Sequence, residues 1–330
     1  MILAGIDEAG YGPLLGPLVV GCCAFELPEE SLGASADAPC TDVPCLWKRL
    51  RRAVGRKRDA KGRKIHVNDS KIVYSPAGGL KELERSVLAL VGATGEGCES
   101  LEALVGRLSP ATLPELGEYQ WYAAPAAERF PLEMDATSVR LTANAVRTVM
   151  EETGTRCVHI AARVIPERQL NRQIEQTRNK SSVLFSTSAI HLDHLLRTYG
   201  GRNLIVFCDR QGGREHYGSL LRLMFDEWAL EVISESDGHS EYRLVRGGHG
   251  VRILFREKAE THCMSVAVAS MISKYLRELL MHRFNAYWQS LLPEVQPTAG
   301  YYSDGVRFLR DIESKRVELG ILDEQLIRMR

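Results

Sequence analysis

The chain has 330 residues, 45% hydrophobic and 25% charged, with 42 Lys and Arg against 42 Asp and Glu. That balance suits a globular core and excludes wholesale disorder. No apolar run reaches the roughly 18 residues of a membrane-spanning helix, and zero net charge excludes a protein that coats nucleic acid by bulk charge. The length allows two domains, or one with large insertions.

The opening residues Met1–Glu8 carry no basic segment and are not read as a signal peptide. Ile2–Ile6 and Leu18–Phe25 are short apolar runs joined by a Gly/Pro-rich turn, the pattern of two paired strands. Residues 28–46 lack periodicity and read as an inserted loop. A basic stretch follows from Lys48 to Lys64. Leu80–Val91 has helical spacing, residues 92–131 read as a second insertion, and Thr137–Glu152 is helical again. Cys157–Val164 is a strand stopped by Pro166, and Ser181–Tyr199 a helix. Leu204–Cys208, wholly apolar and followed by Asp209, suits a strand buried on both faces. Gly213–Trp228 reads as a helix. Leu230–Ser234, Tyr242–Arg246 and Val251–Phe255 read as strands, Met264–Phe284 and Asp304–Leu319 as helices. The whole is an α/β domain with insertions.

Eight scattered cysteines read as reduced, mostly buried thiols, and a cytoplasmic location is expected. Cys40 and Cys45 are close, but no second pair with zinc-site spacing follows. His191 and His194, three apart on a helix, could share a metal, though no third ligand is evident. No nucleophile elbow or phosphate-binding loop occurs.

The pattern richest in chemistry is an acid after each of several apolar strands: Asp7 and Glu8, then Asp209, then Glu260. An acid after a strand is ordinarily a solvated turn residue. Four of them at the carboxyl ends of α/β strands could instead hold two divalent ions, and oxygen donors favour Mg²⁺ or Mn²⁺. Without cations, such a cluster is expected to have raised carboxyl pKa values through mutual repulsion.

Gly5-Ile6-Asp7-Glu8-Ala9-Gly10-Tyr11-Gly12-Pro13-Leu14-Leu15-Gly16-Pro17 resembles the opening motif of the ribonuclease HII (type 2 ribonuclease H) family. Asn68-Asp69-Ser70-Lys71 is similar to the family's second motif, and Leu204–Asp209 to the strand carrying its third carboxylate. Lys258-Ala259-Glu260 with Ala269–Lys274, and then Gly300-Tyr301-Tyr302-Ser303, follow in the family's order. The resemblance implies a ribonuclease H-like fold: a mixed central sheet flanked by helices, with inserted segments and a C-terminal helical part. It implies a catalytic domain over 1–285, with insertions at about 28–66 and 92–135, and a helical extension over 286–330.

The same resemblance implies hydrolysis of the RNA strand of RNA–DNA hybrids, including embedded ribonucleotides. Asp7, Glu8, Asp209 and Glu260 would be the catalytic, metal-binding carboxylates. Gly10, Tyr11 and Gly12 would lie against the ribonucleotide, and Tyr301 against the sugar beside the scissile bond. Asn68, Ser70, Lys71 and Lys258 complete the expected substrate contacts. The expected partners are two Mg²⁺ or Mn²⁺ ions and nucleic acid, with no membrane and no organic cofactor. Three positions depart from the family. Tyr11 stands for an arginine, Glu260 for an aspartate one methylene shorter, and Tyr302 for a proline. They leave open a divergent paralogue that binds without cutting, or that prefers another substrate.

Lys48–Lys64 holds ten Lys or Arg and one acid in 17 residues. A charge run is ordinarily a solvated face. Its place just before the phosphate-contact motif favours nucleic-acid binding, with steep salt dependence.

Overall fold

The apolar runs at the start of the chain become the centre of a seven-stranded sheet in the computed structural model, which describes residues 1–28, 43–75, 77–123 and 128–329. The strands are β1 (Ile2–Ala9), β2 (Leu18–Glu26), β3 (Arg156–Ile165), β4 (Leu204–Asp209), β5 (Ala229–Ser236), β6 (His239–Arg246) and β7 (His249–Arg256). Their order is β3-β2-β1-β4-β7-β6-β5. β1, β4 and β7 run parallel to one another, and the outer pairs are antiparallel. This is the mixed sheet flanked by helices that the motifs imply.

Helices of eight residues or more are α1 (Lys81–Ala93), α2 (Leu101–Leu108), α3 (Ala136–Glu152), α4 (Glu167–Thr177), α5 (Lys180–Tyr199), α6 (Met264–Leu291) and α7 (Tyr302–Glu318). β1 and β4 are apolar on both faces because both faces are covered. Ile2, Ala4 and Ile6 pack with Val183, Leu184 and Leu192 of α5. Leu3 and Phe207 face the other way, into the core containing Val266, Met271 and Ile272 of α6. A side chain at Gly5 would put its Cβ 2.2 Å from the Val266 nitrogen, so the glycine lets α6 lie directly on β1. All of Met264–Ser273 is buried, which explains the small residues around that helix.

Several elements differ from the sequence pattern. The helix expected over Gly213–Trp228 is confined to Gly218–Met224, because Gly212 (φ 57°) and Gly213 (φ 76°) turn the chain first. Pro166, expected only to stop β3, also caps α4, whose sole buried apolar residues are Leu170 and Ile174. The late strands are longer than their apolar cores. Asp237-Gly238 and Gly247-Gly248 close their hairpins, and the second pair is left-handed at both positions, as a two-residue turn prefers.

Of the first insertion, the described part holds a turn of helix, Leu46–Arg49, and two paired strands, Val54–Gly55 and Ile65–His66. The remainder of that loop, with Cys40, lies outside the described residues. The second insertion contains α2, whose Ser100 cap accepts from the Ala103 amide. It is stapled at its far end by Glu84 of α1. Glu84 accepts from the amides of Leu132, Glu133 and Met134 at 2.8, 2.8 and 2.7 Å, and from the Tyr275 hydroxyl at 2.8 Å. The boundary expected after residue 285 lies within α6, and Trp288, Phe308, Ile312 and Leu326 share a core with Leu3. Trp121, Trp228 and Trp288 are buried. Among the described residues no helix is long and apolar enough to cross a membrane.

Candidate active site

Because β1, β4 and β7 are parallel, their carboxyl ends open at one edge of the sheet. Asp7 and Glu8 stand near the end of β1, Asp209 is the last residue of β4, and Glu260 sits in the helical turn Ala259–Thr261 after β7. The four acids predicted from three distant stretches of sequence therefore meet. Asp7 is acted on by the charges of Glu8 and Asp209, and Glu8 by those of Asp209 and Glu260.

Burial, first, and then Glu8 and Asp209 push Asp7 well above the usual carboxylate range. Burial followed by Asp209 pushes Glu8 up to about 8. Burial also raises Asp209, and it lifts Glu260 to about 7 with help from Asp209 and Asp69. The direction matches the sequence expectation, but loss of solvent outweighs repulsion as its cause.

The protein supplies few donors here. Asp7 Oδ1 accepts from the Glu8 amide at 2.7 Å, and Asp209 Oδ1 from the Ala259 amide at 3.1 Å. Glu8 Oε2 is shut off from solvent and has no hydrogen-bond partner. A buried carboxylate oxygen left bare is costly, and a cation satisfies it. Charge, oxygen donors and the orphaned atom all fit divalent ions such as Mg²⁺ or Mn²⁺. The set is splayed: among the described residues, the three-residue group with ligand atoms within 4.8 Å of one another lies elsewhere.

Asn68-Asp69-Ser70-Lys71 is drawn to the same edge. Asp69 caps a short helix, Ser70–Val73, by accepting from the Lys71 amide, and the Ser70 hydroxyl meets Ser270 of α6 at 3.0 Å. Ser270 in turn hydrogen-bonds Asp7. The Lys71 ammonium pulls Glu8, Asp209 and Glu260 downward, and Asp69 pushes Asp209 and Glu260 upward. Asp69, which lies within the second motif without an assigned role there, is thus a fifth acid at the site. Asn68 is committed within the protein, since its side-chain amide donates to the Arg56 carbonyl at 2.9 Å.

The glycine loop closes another side of the site. Gly10 is left-handed (φ 85°), and a Cβ there would lie 2.6 Å from the Pro17 carbonyl oxygen, so the fold itself requires glycine. A Cβ at Gly12 would meet nothing within 4 Å. Tyr11 lies beneath the Lys180 ammonium, 5.2 Å from its ring centroid, and burial followed by Glu8 raises its hydroxyl pKa. Gly300 accepts from the Leu14 and Leu15 amides at 2.7 and 3.1 Å, which ties half-exposed Tyr301 to this loop. Lys258 is exposed and left-handed (φ 55°). Its carbonyl accepts the Thr261 hydroxyl at 2.8 Å, a backbone role in the turn bearing Glu260.

Two arginines that the sequence reading passed over hold this loop from within. Arg277 donates to the carbonyls of Ala299, Leu15 and Pro17 at 2.9, 3.3 and 3.4 Å. Arg328 donates to those of Tyr11 and Gly16 at 3.2 and 3.3 Å. Nothing in their local sequence distinguishes them from surface arginines. His191 and His194 do not pair: His191 contacts the Val20 carbonyl, and His194 stacks on His159 at 4.3 Å.

The basic stretch is a largely exposed loop whose two short strands, Val54–Gly55 and Ile65–His66, pair parallel. Arg51, Lys57 and Lys61 are exposed, while Arg58 reaches Glu82 at 3.3 Å. Through the contact of the Arg56 carbonyl with Asn68 it abuts the 68–71 turn that carries Lys71.

The fold and this geometry define an α/β protein with a donor-poor acidic cluster at the carboxyl edge of parallel strands. No family model and no curated protein matches the sequence. Among solved structures the chain is similar to the RNase HII of Archaeoglobus fulgidus, taken from its complex with PCNA. Identity is 16% over 100% of this chain and 95% of that one, with a TM-score of 0.43. It is also similar to ribonuclease H2 of Pyrococcus horikoshii OT3, at 15% identity over 99% and 92% of the two chains, with a TM-score of 0.46. A third similar structure is Bst-RNase HIII in complex with Mn²⁺, at 13% identity over 100% and 66%, with a TM-score of 0.39.

Proposed function

We propose that the protein is a metal-dependent endonuclease that hydrolyses the RNA strand of RNA–DNA hybrids, with Asp7, Glu8, Asp209 and Glu260 as its metal-binding carboxylates. One observation carries the reading: four acids from the ends of three parallel strands act on one another where burial raises the pKa of each, with Glu8 Oε2 unsatisfied. The ordered motifs of ribonuclease HII along the chain support the choice of substrate.

Asp7, Glu8, Asp209 and Glu260 would hold two divalent ions, which would supply activation of water and charge stabilisation of the leaving oxygen of the phosphodiester. The chain's own residues do the rest. Lys71 offers a cation beside the acids for a backbone phosphate. The open space over Gly12 admits a ribose to the main chain, where a 2′-hydroxyl separates RNA from DNA. The Arg277 and Arg328 contacts hold that loop still. The exposed basic loop extends the electrostatic track, and neutrality of the whole chain keeps binding local.

The test is a substrate panel with the purified full chain in Mg²⁺ and in Mn²⁺: a long hybrid, a DNA duplex with one embedded ribonucleotide, and an all-DNA duplex. The reading expects cuts only at ribonucleotides, leaving 3′-hydroxyl and 5′-phosphate ends. Tight hybrid binding without cleavage in either metal would replace it with a non-catalytic binder, the alternative that Tyr11 and Glu260 motivate. Cleavage of all-DNA at equal rate would overturn the substrate assignment.

A further inference from the structure

Cys22, His159 and His191 come from β2, β3 and α5, and none is used by the site above. The Cys22 sulfur and a ring nitrogen of each histidine lie within 4.8 Å of one another, a group of three potential ligands that the acidic cluster does not match among the described residues. We propose that these three side chains form a second metal site, for one zinc-class ion, on the α5 face of the sheet.

Sulfur and imidazole donors select borderline-soft ions and disfavour Mg²⁺, so the site is chemically distinct from the carboxylate cluster. Cys22 is 0% and His191 3% exposed, and an imidazole rarely occupies such a place without partners. His191 Nε2 meets the Val20 carbonyl at 3.1 Å. A proton held there leaves the lone pair on Nδ1, the arrangement in which metal-ligating histidines are fixed by a carbonyl. His159 Nε2 is shut off from solvent with no hydrogen-bond partner, so a ring nitrogen capable of ligation is left bare. His159 is half-buried, the most accessible of the three residues, and His194 stacked on its ring limits its rotation.

The charges around the site also suit an ion. Burial, helped by His194, pushes His159 down to about 4, and burial, helped by His159, Arg163 and His194, pushes His191 down to about 3. Both rings are therefore neutral and able to ligate near pH 7. Burial, with Cys157 adding to it, raises the Cys22 thiol. On binding, the Cys22 S–H bond breaks, its proton passes to the buffer and a sulfur–metal bond forms, without any change of oxidation state. The thiolate so formed offsets the Arg163 charge that faces His191. The ion would join edge strand β3 and helix α5 to β2, so the expected role is structural.

The test uses the full chain without a polyhistidine tag, stripped with a chelator and titrated with Co²⁺ as a spectroscopic probe. The expected result is a thiolate-to-cobalt charge-transfer band that saturates at one equivalent and is displaced by Zn²⁺. His159→Gln, at the exposed side of the site, should fold with the metal-free wild-type Tm but show no band and no Zn²⁺-induced rise in Tm. Cys22→Ser should also lack the band, whereas Asp209→Asn should keep it. Absence of the band in the wild type, or its persistence in His159→Gln, overturns the proposal. Neither outcome bears on hybrid cleavage, so this site and the nuclease reading fail separately.

Discussion

Glu84 and Glu8 are carboxylates withdrawn from water in two parts of the same molecule. Glu84 is saturated, with three backbone amides and the Tyr275 hydroxyl filling its oxygens. Glu8 has one oxygen with no partner and other acids for neighbours. Each charge costs free energy to bury, but only the first is compensated by the protein. Glu84 therefore acts as a staple between α1, α6 and the second insertion. Glu8 and its neighbours form a place where compensation must come from outside, which is what a cation-dependent centre requires.

The sharpest way to break this contrast is Asp209→Asn. Metal-dependent cleavage of a hybrid should fall by about 10³-fold or more, since each ligand position supports several kcal/mol of transition-state stabilisation. Gel assays under single-turnover conditions would measure it, and folding should persist.

Stability should respond with opposite signs in the two regions. Glu84→Ala strands three buried amides, each worth about 1–3 kcal/mol when unsatisfied, and should lower stability by roughly 3 kcal/mol or more in urea unfolding. Asp7→Asn removes a buried, repelled charge and should raise the metal-free Tm. A fall in Tm on that change would erase the distinction.

Next in size is the pH dependence of the metal-free protein. A carboxyl whose folded pKa exceeds its unfolded value holds an extra proton when folded, so its contribution is complete below the unfolded pKa and is lost as pH rises. With Glu260 at about 7 and Glu8 at about 8, both from an ordinary 4.5, stability should decline from about pH 4.5 to 8. Mn²⁺ should restore it, raising Tm more at pH 8 than at pH 5 in thermal melts. The smallest effect concerns the loop. Gly12→Ala should change stability by no more than about 0.5 kcal/mol, because its Cβ would enter open space, yet weaken hybrid binding.

How much of this was legible depends on whether a residue's role is local. Asp7 and Asp209 could be read because an acid ends a run that is apolar on both faces, a signal contained within a few residues. The helix over Lys180–Tyr199 was equally plain from its spacing. α4 was not, because its face rests on Leu170 and Ile174 alone and its start coincides with a proline. Gly212 and Gly213 shortened an expected helix whose apolar spacing ran past them. Asp69, Arg277 and Arg328 were hidden because their roles arise when distant segments meet, as were the partners of His191. Periodicity records which face is buried, not what that face will find opposite.

The most direct measurement is Mn²⁺ binding by calorimetry to wild type, Asp7→Asn, Asp209→Asn and Glu84→Gln, each confirmed as folded. The account predicts binding by the wild type, its loss in the two site variants, and its retention by Glu84→Gln. Unchanged affinity in Asp7→Asn and Asp209→Asn would contradict the claim that the donor-poor cluster exists to hold cations.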